Sequence, residues 1–264
     1  MKLKLGIFDS GIGGFTILKS LLARNVDVEV LYLADIERNP YGEKTVEEIR
    51  VIASELCSWF NDKNLDALLI ACNTTNSCAL DILNERLKIP CFDLINSVSE
   101  IITTNRIGVL ATSATVKTAS YKNIIESKSK NIKVFQQACP EFVYEIEKTT
   151  INSEKINHLS EIYLRSLLSC NIQELILGCS HYPLIYELLR KKIPSHIKII
   201  DPSVALINKF YKYFFKEEKF CHEVHSYRNV EFYVTGKIEE FSIKVSNWLE
   251  INKKISLVNL RTDT

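Results

Sequence analysis

Two seven-residue stretches, Leu68-Leu69-Ile70-Ala71-Cys72-Asn73-Thr74 and Leu175-Ile176-Leu177-Gly178-Cys179-Ser180-His181, share one pattern: an apolar run, a cysteine, then polar residues. The cysteines stand 107 residues apart. Downstream, Ile89-Pro90-Cys91-Phe92-Asp93 resembles Ile197-Lys198-Ile199-Ile200-Asp201, with the aspartates 108 apart. Upstream, Leu5-Gly6-Ile7-Phe8 resembles Ile107-Gly108-Val109-Leu110, with the glycines 102 apart. Landmarks that recur in order at nearly one offset predict two similar lobes, and the period is too long for a solenoid.

The runs at Leu3–Phe8, Val28–Leu33, Ala67–Ala71, Cys91–Leu94, Ile107–Ala111, Lys133–Phe135, Glu174–Leu177, Lys198–Ile200 and Val230–Val234 read as strands. Several are apolar throughout, as strands covered on both faces must be. Helical patterns at Thr45–Lys63, Ser77–Leu87, Ser153–Ser169 and Tyr182–Lys192 lie between them. The expected fold is therefore α/β: two similar lobes, each a mostly parallel sheet flanked by helices, related by a pseudo-twofold. The first lobe spans residues 1–97 and the second 98–207. Residues 208–264, with one strand and a helix starting near Gly236, are expected to pack back on the first lobe. No Pro/Gly/Ser-rich linker separates the lobes, so a cleft between them is expected to hold the active site. Ligands in such sheets lie outside the carboxyl ends of the strands.

Composition narrows the function. The chain has 264 residues, 46% of them hydrophobic, with 33 Lys plus Arg against 32 Asp plus Glu. A net charge of +1 provides no general field for nucleic acid or anionic membrane. The stretch Lys209 to Lys219 reads as an amphipathic helix rather than a basic patch. No export signal and no apolar span long enough for a membrane helix occurs, so a cytosolic protein is expected. The eight cysteines, Cys57, Cys72, Cys78, Cys91, Cys139, Cys170, Cys179 and Cys221, include no C-x-x-C pair. They are expected to be reduced, most of them small buried apolar residues.

Cys72 and Cys179 differ from the rest by ending equivalent strands, each ahead of a predicted helix starting near Thr75 or Tyr182. A helix N-terminus lowers a thiol pKa, which would favour thiolate. Two such thiols suit racemisation, which removes the Cα proton from one face and returns one to the other. One group acts as thiolate and the other as thiol, with roles exchanged when the direction reverses. The glycine loop Asp9-Ser10-Gly11-Ile12-Gly13-Gly14 follows the first strand and permits close backbone approach and anion binding. Gly11-x-Gly13 with Asp35 also imitates a dinucleotide fingerprint whose third glycine is missing. Pro40-Tyr41-Gly42 forms a turn able to present an amide and a phenol. The hydroxyls of Thr112 and Thr115 either cap a helix or bind a carboxylate. His181 is placed to hold Cys179 as thiolate or to meet a substrate carboxylate, and Asp9 to do the same beside Cys72 or to hold an ammonium group. Arg38 apart, these loops lack arginine, so a carboxylate would be held by hydroxyls and backbone N–H groups.

Asp9 to Gly14, Ala34-Asp35 with Pro40-Tyr41-Gly42, Ala71-Cys72-Asn73-Thr74 and Leu177-Gly178-Cys179-Ser180-His181-Tyr182-Pro183-Leu184 resemble the glutamate racemases, within the aspartate/glutamate racemase family. The resemblance spans roughly residues 5 to 240. It implies an enzyme without pyridoxal phosphate or metal, usually a homodimer, that makes D-glutamate for peptidoglycan. By position, Cys72 is the base toward D-glutamate and Cys179 the base toward L-glutamate. Asp9, Ser10, Tyr41, Gly42, Asn73, Thr74, Ser180 and His181 match substrate contacts, with Pro40 and Thr115 beside them. Glu147 resembles an assisting acid, with Glu141 and Glu145 close in sequence. Two positions depart from the family pattern: Ser180 replaces threonine, and Thr75-Asn76 replace smaller residues. The alternatives are a racemase of another acidic amino acid such as aspartate, a nucleotide-binding regulatory protein, and a thiol redox protein.

Overall fold

The computed structural model describes residues 2–24, 27–215 and 227–260. Cys221 and the end of the Lys209–Lys219 stretch lie outside the described residues. The first strand, β1 (Leu3–Asp9), leads through the glycine loop to α1 (Phe15–Leu22), and β2 (Val28–Ala34) is followed by α2 (Val46–Asn61). Next come β3 (Ala67–Ile70), α3 (Asn73–Arg86), β4 (Cys91–Asp93) and α4 (Leu94–Ser99). The second half repeats the alternation with β5 (Arg106–Ala111), α5 (Ser113–Thr118), α6 (Ser120–Glu126), β6 (Lys133–Ala138), α7 (Pro140–Ile146) and α8 (Ser153–Ser169). It ends in β7 (Glu174–Gly178), α9 (Tyr186–Arg190), β8 (Lys198–Ile200) and α10 (Pro202–Phe214). The chain closes with β9 (Val230–Val234), α11 (Ile238–Leu249) and β10 (Ile255–Leu257).

Among the described residues all strand pairs are parallel. One sheet has the order β10-β9-β2-β1-β3-β4 and the other β6-β5-β7-β8. The cores β2-β1-β3-β4 and β6-β5-β7-β8 are thus one arrangement built twice, and the two cysteine stretches fall on matching strands, β3 and β7. Residues along β3 and β7 are buried throughout, which is why their sequences are apolar without alternation. Gly6 and Gly108 are equivalent as well: a Cβ on Gly6 would come within 2.7 Å of Leu68, and one on Gly108 within 2.6 Å of Ile172. Each lets a hydrophobic side chain close over the central strand.

β9 pairs with β2 and so extends the first sheet. Its Phe232 lies 5.5 Å from Tyr32, and Phe241 of α11 lies 5.7 Å from Phe15, ring centre to ring centre. These aromatics fix α11 against the face of the first sheet. Three local expectations are corrected. β10, an edge strand with one buried residue among its three, goes unread in the sequence. The helix after Cys72 starts at Asn73, with Cys72 as its N-cap. After Cys179 the backbone forms a 3-10 turn, Tyr182–Ile185, with Pro183 in its first turn, before the five-residue α9. Among the described residues, no helix is long and apolar enough to cross a membrane.

Candidate active site

The carboxyl ends of the two sheets meet, and their loops interlock. Asp9, the last residue of β1, accepts the Gly11 amide on Oδ1 at 2.8 Å and the Ser180 hydroxyl of the other sheet on Oδ2 at 2.8 Å. A Cβ on Gly13 would fall 2.2 Å from Ser180 Oγ and 2.6 Å from His181 Nδ1. The glycine loop is therefore covered by the second cysteine motif. Thr74 and Thr112 share a hydrogen bond of 3.0 Å across the same junction, and Tyr121 donates to Asn73 Oδ1 at 2.5 Å.

Cys72 is buried, and its thiol donates to Ser10 Oγ at 3.8 Å. Burial pushes this thiol up to about 12, and the neighbouring charge of Asp9 adds to the shift, against the opposing pull of Thr75 and Ser10. The expectation that the helix start would favour thiolate is corrected here: one N-terminal turn does not outweigh complete desolvation beside a carboxylate. Asp9 itself is raised by burial, against the pull of His181 and of its hydrogen bonds.

Cys179 Sγ lies 3.8 Å from His181 Nδ1. On the far side of the ring, His181 Nε2 stands 2.7 Å from Glu147 Oε1. An ionised carboxylate can only accept, so Nε2 carries a proton and Nδ1 faces the thiol. Burial opposes charge on His181, but hydrogen bonds and charges from Cys179 and Glu147 outweigh it and hold the imidazole well above its ordinary value. Burial likewise opposes charge on Glu147, yet His181 and Lys244 bring it down to about 2. Glu147 also accepts from Asn39 Nδ2 at 2.9 Å and from the Ile12 amide at 3.2 Å. Glu145 pairs instead with Lys148 and Lys155, and Glu141 with Lys155. Glu147 alone of these three bonds to His181.

Other sequence candidates sit around this centre with other tasks. Tyr41 is buried, but its hydroxyl donates to Asp35, which also accepts from Arg38 and from Thr235 Oγ1. The phenol expected to be presented is thus engaged. The Gly42 carbonyl accepts the Ala114 amide at 2.8 Å and ties the turn to the second sheet. Thr112 caps α5 and donates to Thr115 Oγ1 at 3.0 Å, so capping is satisfied at those hydroxyls. Pro40 lines a cavity of about 450 Å³ beyond Glu147, together with Asn39, Tyr144 and Lys244. Asn73 Nδ2 is a buried donor without a hydrogen-bond partner among the described residues. Among those residues, no cluster of three or more His, Cys, Asp or Glu is arranged to hold a metal ion.

The dinucleotide alternative loses its acidic residue, because Asp35 is buried and consumed by Arg38, Tyr41 and Thr235. Sequence reasoning missed Lys244 and Asn39. Lys244 left a signal: it sits in the buried stripe Phe241, Lys244, Val245, Leu249 of α11, where an apolar residue belongs. Asn39, a loop residue, left none.

Matching strands of two like-ordered parallel cores each end in a thiol buried where the sheets meet, an arrangement that suits an amino-acid racemase, and the relatives carry that class. The chain belongs to the Asp/Glu/Hydantoin racemase family, whose profile matches residues 17–210. It is 46% identical over 260 residues to a glutamate racemase of Prochlorococcus marinus (strain NATL1A), covering 98% of each chain. Among solved structures it resembles a glutamate racemase of Francisella tularensis subsp. tularensis SCHU S4 in complex with D-glutamate, with 34% identity, 98% of each chain covered and a TM-score of 0.86. A glutamate racemase isoform of Bacillus anthracis superposes with a TM-score of 0.87 at 26% identity, again over 98% of each chain.

Proposed function

We propose that this enzyme interconverts L- and D-glutamate by a two-thiol proton transfer that needs no cofactor. The observation that carries this reading is the equivalence of Cys72 and Cys179, which end matching strands of a repeated core and are buried at the same junction. One thiolate takes the Cα proton and becomes a thiol; the opposite thiol donates its proton to the other face and becomes a thiolate. The two thiols have differently charged neighbours. Asp9 and burial keep Cys72 neutral, while the charged His181 sets positive charge beside Cys179. In the L-glutamate direction Cys179 acts as base and Cys72 as acid. Asn73 Nδ2 offers a carboxylate a neutral donor, and the Thr74 and Ser180 hydroxyls, bonded to Thr112 and Asp9 without substrate, would turn to it on binding, since Arg38 is held by Asp35 and Glu55. Glutamate rather than aspartate follows from the names of the relatives. Supply of D-glutamate to peptidoglycan, a cytosolic setting and a homodimer complete the proposal.

The test is circular dichroism of the purified protein with L-glutamate and no added cofactor. Optical activity is expected to decay to zero, with solvent deuterium entering at Cα. Cys72→Ser and Cys179→Ser are each expected to slow the decay by roughly 10²–10⁴-fold, the range for losing a general acid or base. Decay with L-aspartate alone would change the substrate and keep the chemistry. Full activity in either folded serine variant would overturn the two-thiol mechanism.

A further inference from the structure

Lys244 stands outside the repeat and outside the part of the chain that the family profile matches. It is a buried lysine in the apolar stripe of α11. Its Nζ lies 2.8 Å from Glu147 Oε2 and 2.7 Å from Glu240 Oε1. Glu147 uses its other oxygen, Oε1, on His181, and His181 faces Cys179. A continuous chain of contacts thus runs from the C-terminal helix to one of the two thiols: Glu240, Lys244, Glu147, His181, Cys179. We propose that Lys244 is a positioning residue for the Cys179 half-reaction, holding Glu147 ionised and oriented on His181.

The physical argument is the cost of a buried charge. A carboxylate this deep keeps its charge only when paired and hydrogen-bonded. The titratable groups facing Glu147 are His181 from the turn after β7, Lys244 from α11, and, through charge, Asp9 of β1 and Tyr32 of β2. Asp9 and Tyr32 offer no positive charge. His181 must change its bonding as Cys179 gains and loses a proton, so it is an unsteady partner. Lys244 is the cation whose charge stays constant through the cycle. Glu147 also lines a cavity that it shares with Lys148, Lys237, Glu240 and Lys244. Without Lys244, Glu147 would turn toward that cavity or take up a proton, and His181 would lose its orientation in either case.

This inference rests on the racemase reading for its kinetic part, and a spectroscopic readout separates the two. Proton NMR of the substrate-free protein is expected to show a far-downfield imidazole N–H signal from the His181–Glu147 hydrogen bond, identified by its loss in Glu147→Gln. Lys244→Met is expected to broaden or abolish that signal, and Lys244→Arg to retain it. With glutamate, Lys244→Met is expected to lower kcat by about 10-fold or more with KM changed less than about 2-fold, since among the described residues the Lys244 ammonium pairs with Glu147 and Glu240. The acid limb of its kcat–pH profile should move to higher pH, because Glu147 becomes easier to protonate, and Lys244→Arg should restore it. An unchanged imidazole signal in folded Lys244→Met would overturn the proposal. So would a kcat loss that is uniform with pH and not rescued by arginine. A wild-type protein that racemises no acidic amino acid would overturn the functional reading, and the NMR comparison would still decide the part played by Lys244.

Discussion

Glu147 gathers more of the site's electrostatics than either thiol. Its carboxylate accepts from a histidine, an asparagine, a backbone amide and a lysine. Its pKa lies below the ordinary value of 4.5, at about 2, because its partners overcome burial. A depressed carboxylate stabilises the fold above its unfolded pKa and loses that contribution as pH falls through the folded one. The window therefore runs from about pH 4.5 down to about 2, and the full contribution is of order 3 kcal/mol. In denaturant melts at pH 6, 5, 4 and 3, the stability gap between wild type and Glu147→Gln should narrow as the pH drops. A gap that stays constant would show that the charge of Glu147 does not contribute to the fold. Cys72 shows the same competition with the opposite result: burial and Asp9 outweigh the donors around it, and the thiol stays protonated.

At the scale of elements, the loop between β1 and α1 is shaped by what covers it. Gly13 has no room for a side chain, since its Cβ would reach the Ser180 hydroxyl at 2.2 Å and the His181 ring at 2.6 Å. Gly13→Ala should therefore push the second cysteine motif away from Asp9. The expected result is a destabilisation of about 1–3 kcal/mol, as for other overpacked sites, with a fall in kcat larger than stability alone explains. Thermal melts and steady-state kinetics on one preparation would check both. A wild-type melting temperature and rate in Gly13→Ala would mean that the two motifs are not tightly apposed. The turn after Cys179 is likewise dictated locally: Pro183 sits in a short 3-10 segment whose first amide, that of Tyr182, bonds to the Cys179 carbonyl at 3.1 Å. That bond aims His181 back past the thiol.

For the whole molecule, the C-terminal residues complete the first sheet and reach the second. β9 covers the edge of β2, while α11 lays Phe241 on Phe15 and Tyr32 and delivers Lys244 to Glu147. A chain ending at residue 226 would leave β2 as an exposed apolar edge, which favours aggregation. It should lose its cooperative thermal transition, measured by circular dichroism, along with all racemase activity. A truncated chain that melts cooperatively would show that the repeated core folds alone.

The two-lobed α/β plan was legible in the sequence because strands buried on both faces must be apolar throughout, and the duplication left Cys72 and Cys179 at matching strand ends. Asp9, Ser180 and His181 were legible for a related reason: loops at the carboxyl ends of parallel strands converge, so polar residues just past each strand are brought together. Glu147 was readable only through family resemblance, since Glu141, Glu145 and Glu147 lie on one short stretch and only packing selects among them. The raised pKa of Cys72, the capture of the Tyr41 phenol by Asp35 and the reach of Lys244 into the site belong to the tertiary structure. Each depends on distances between residues far apart in the chain, and on how much water the closed junction excludes. Local sequence specifies which groups are available; burial and long-range pairing set their charge.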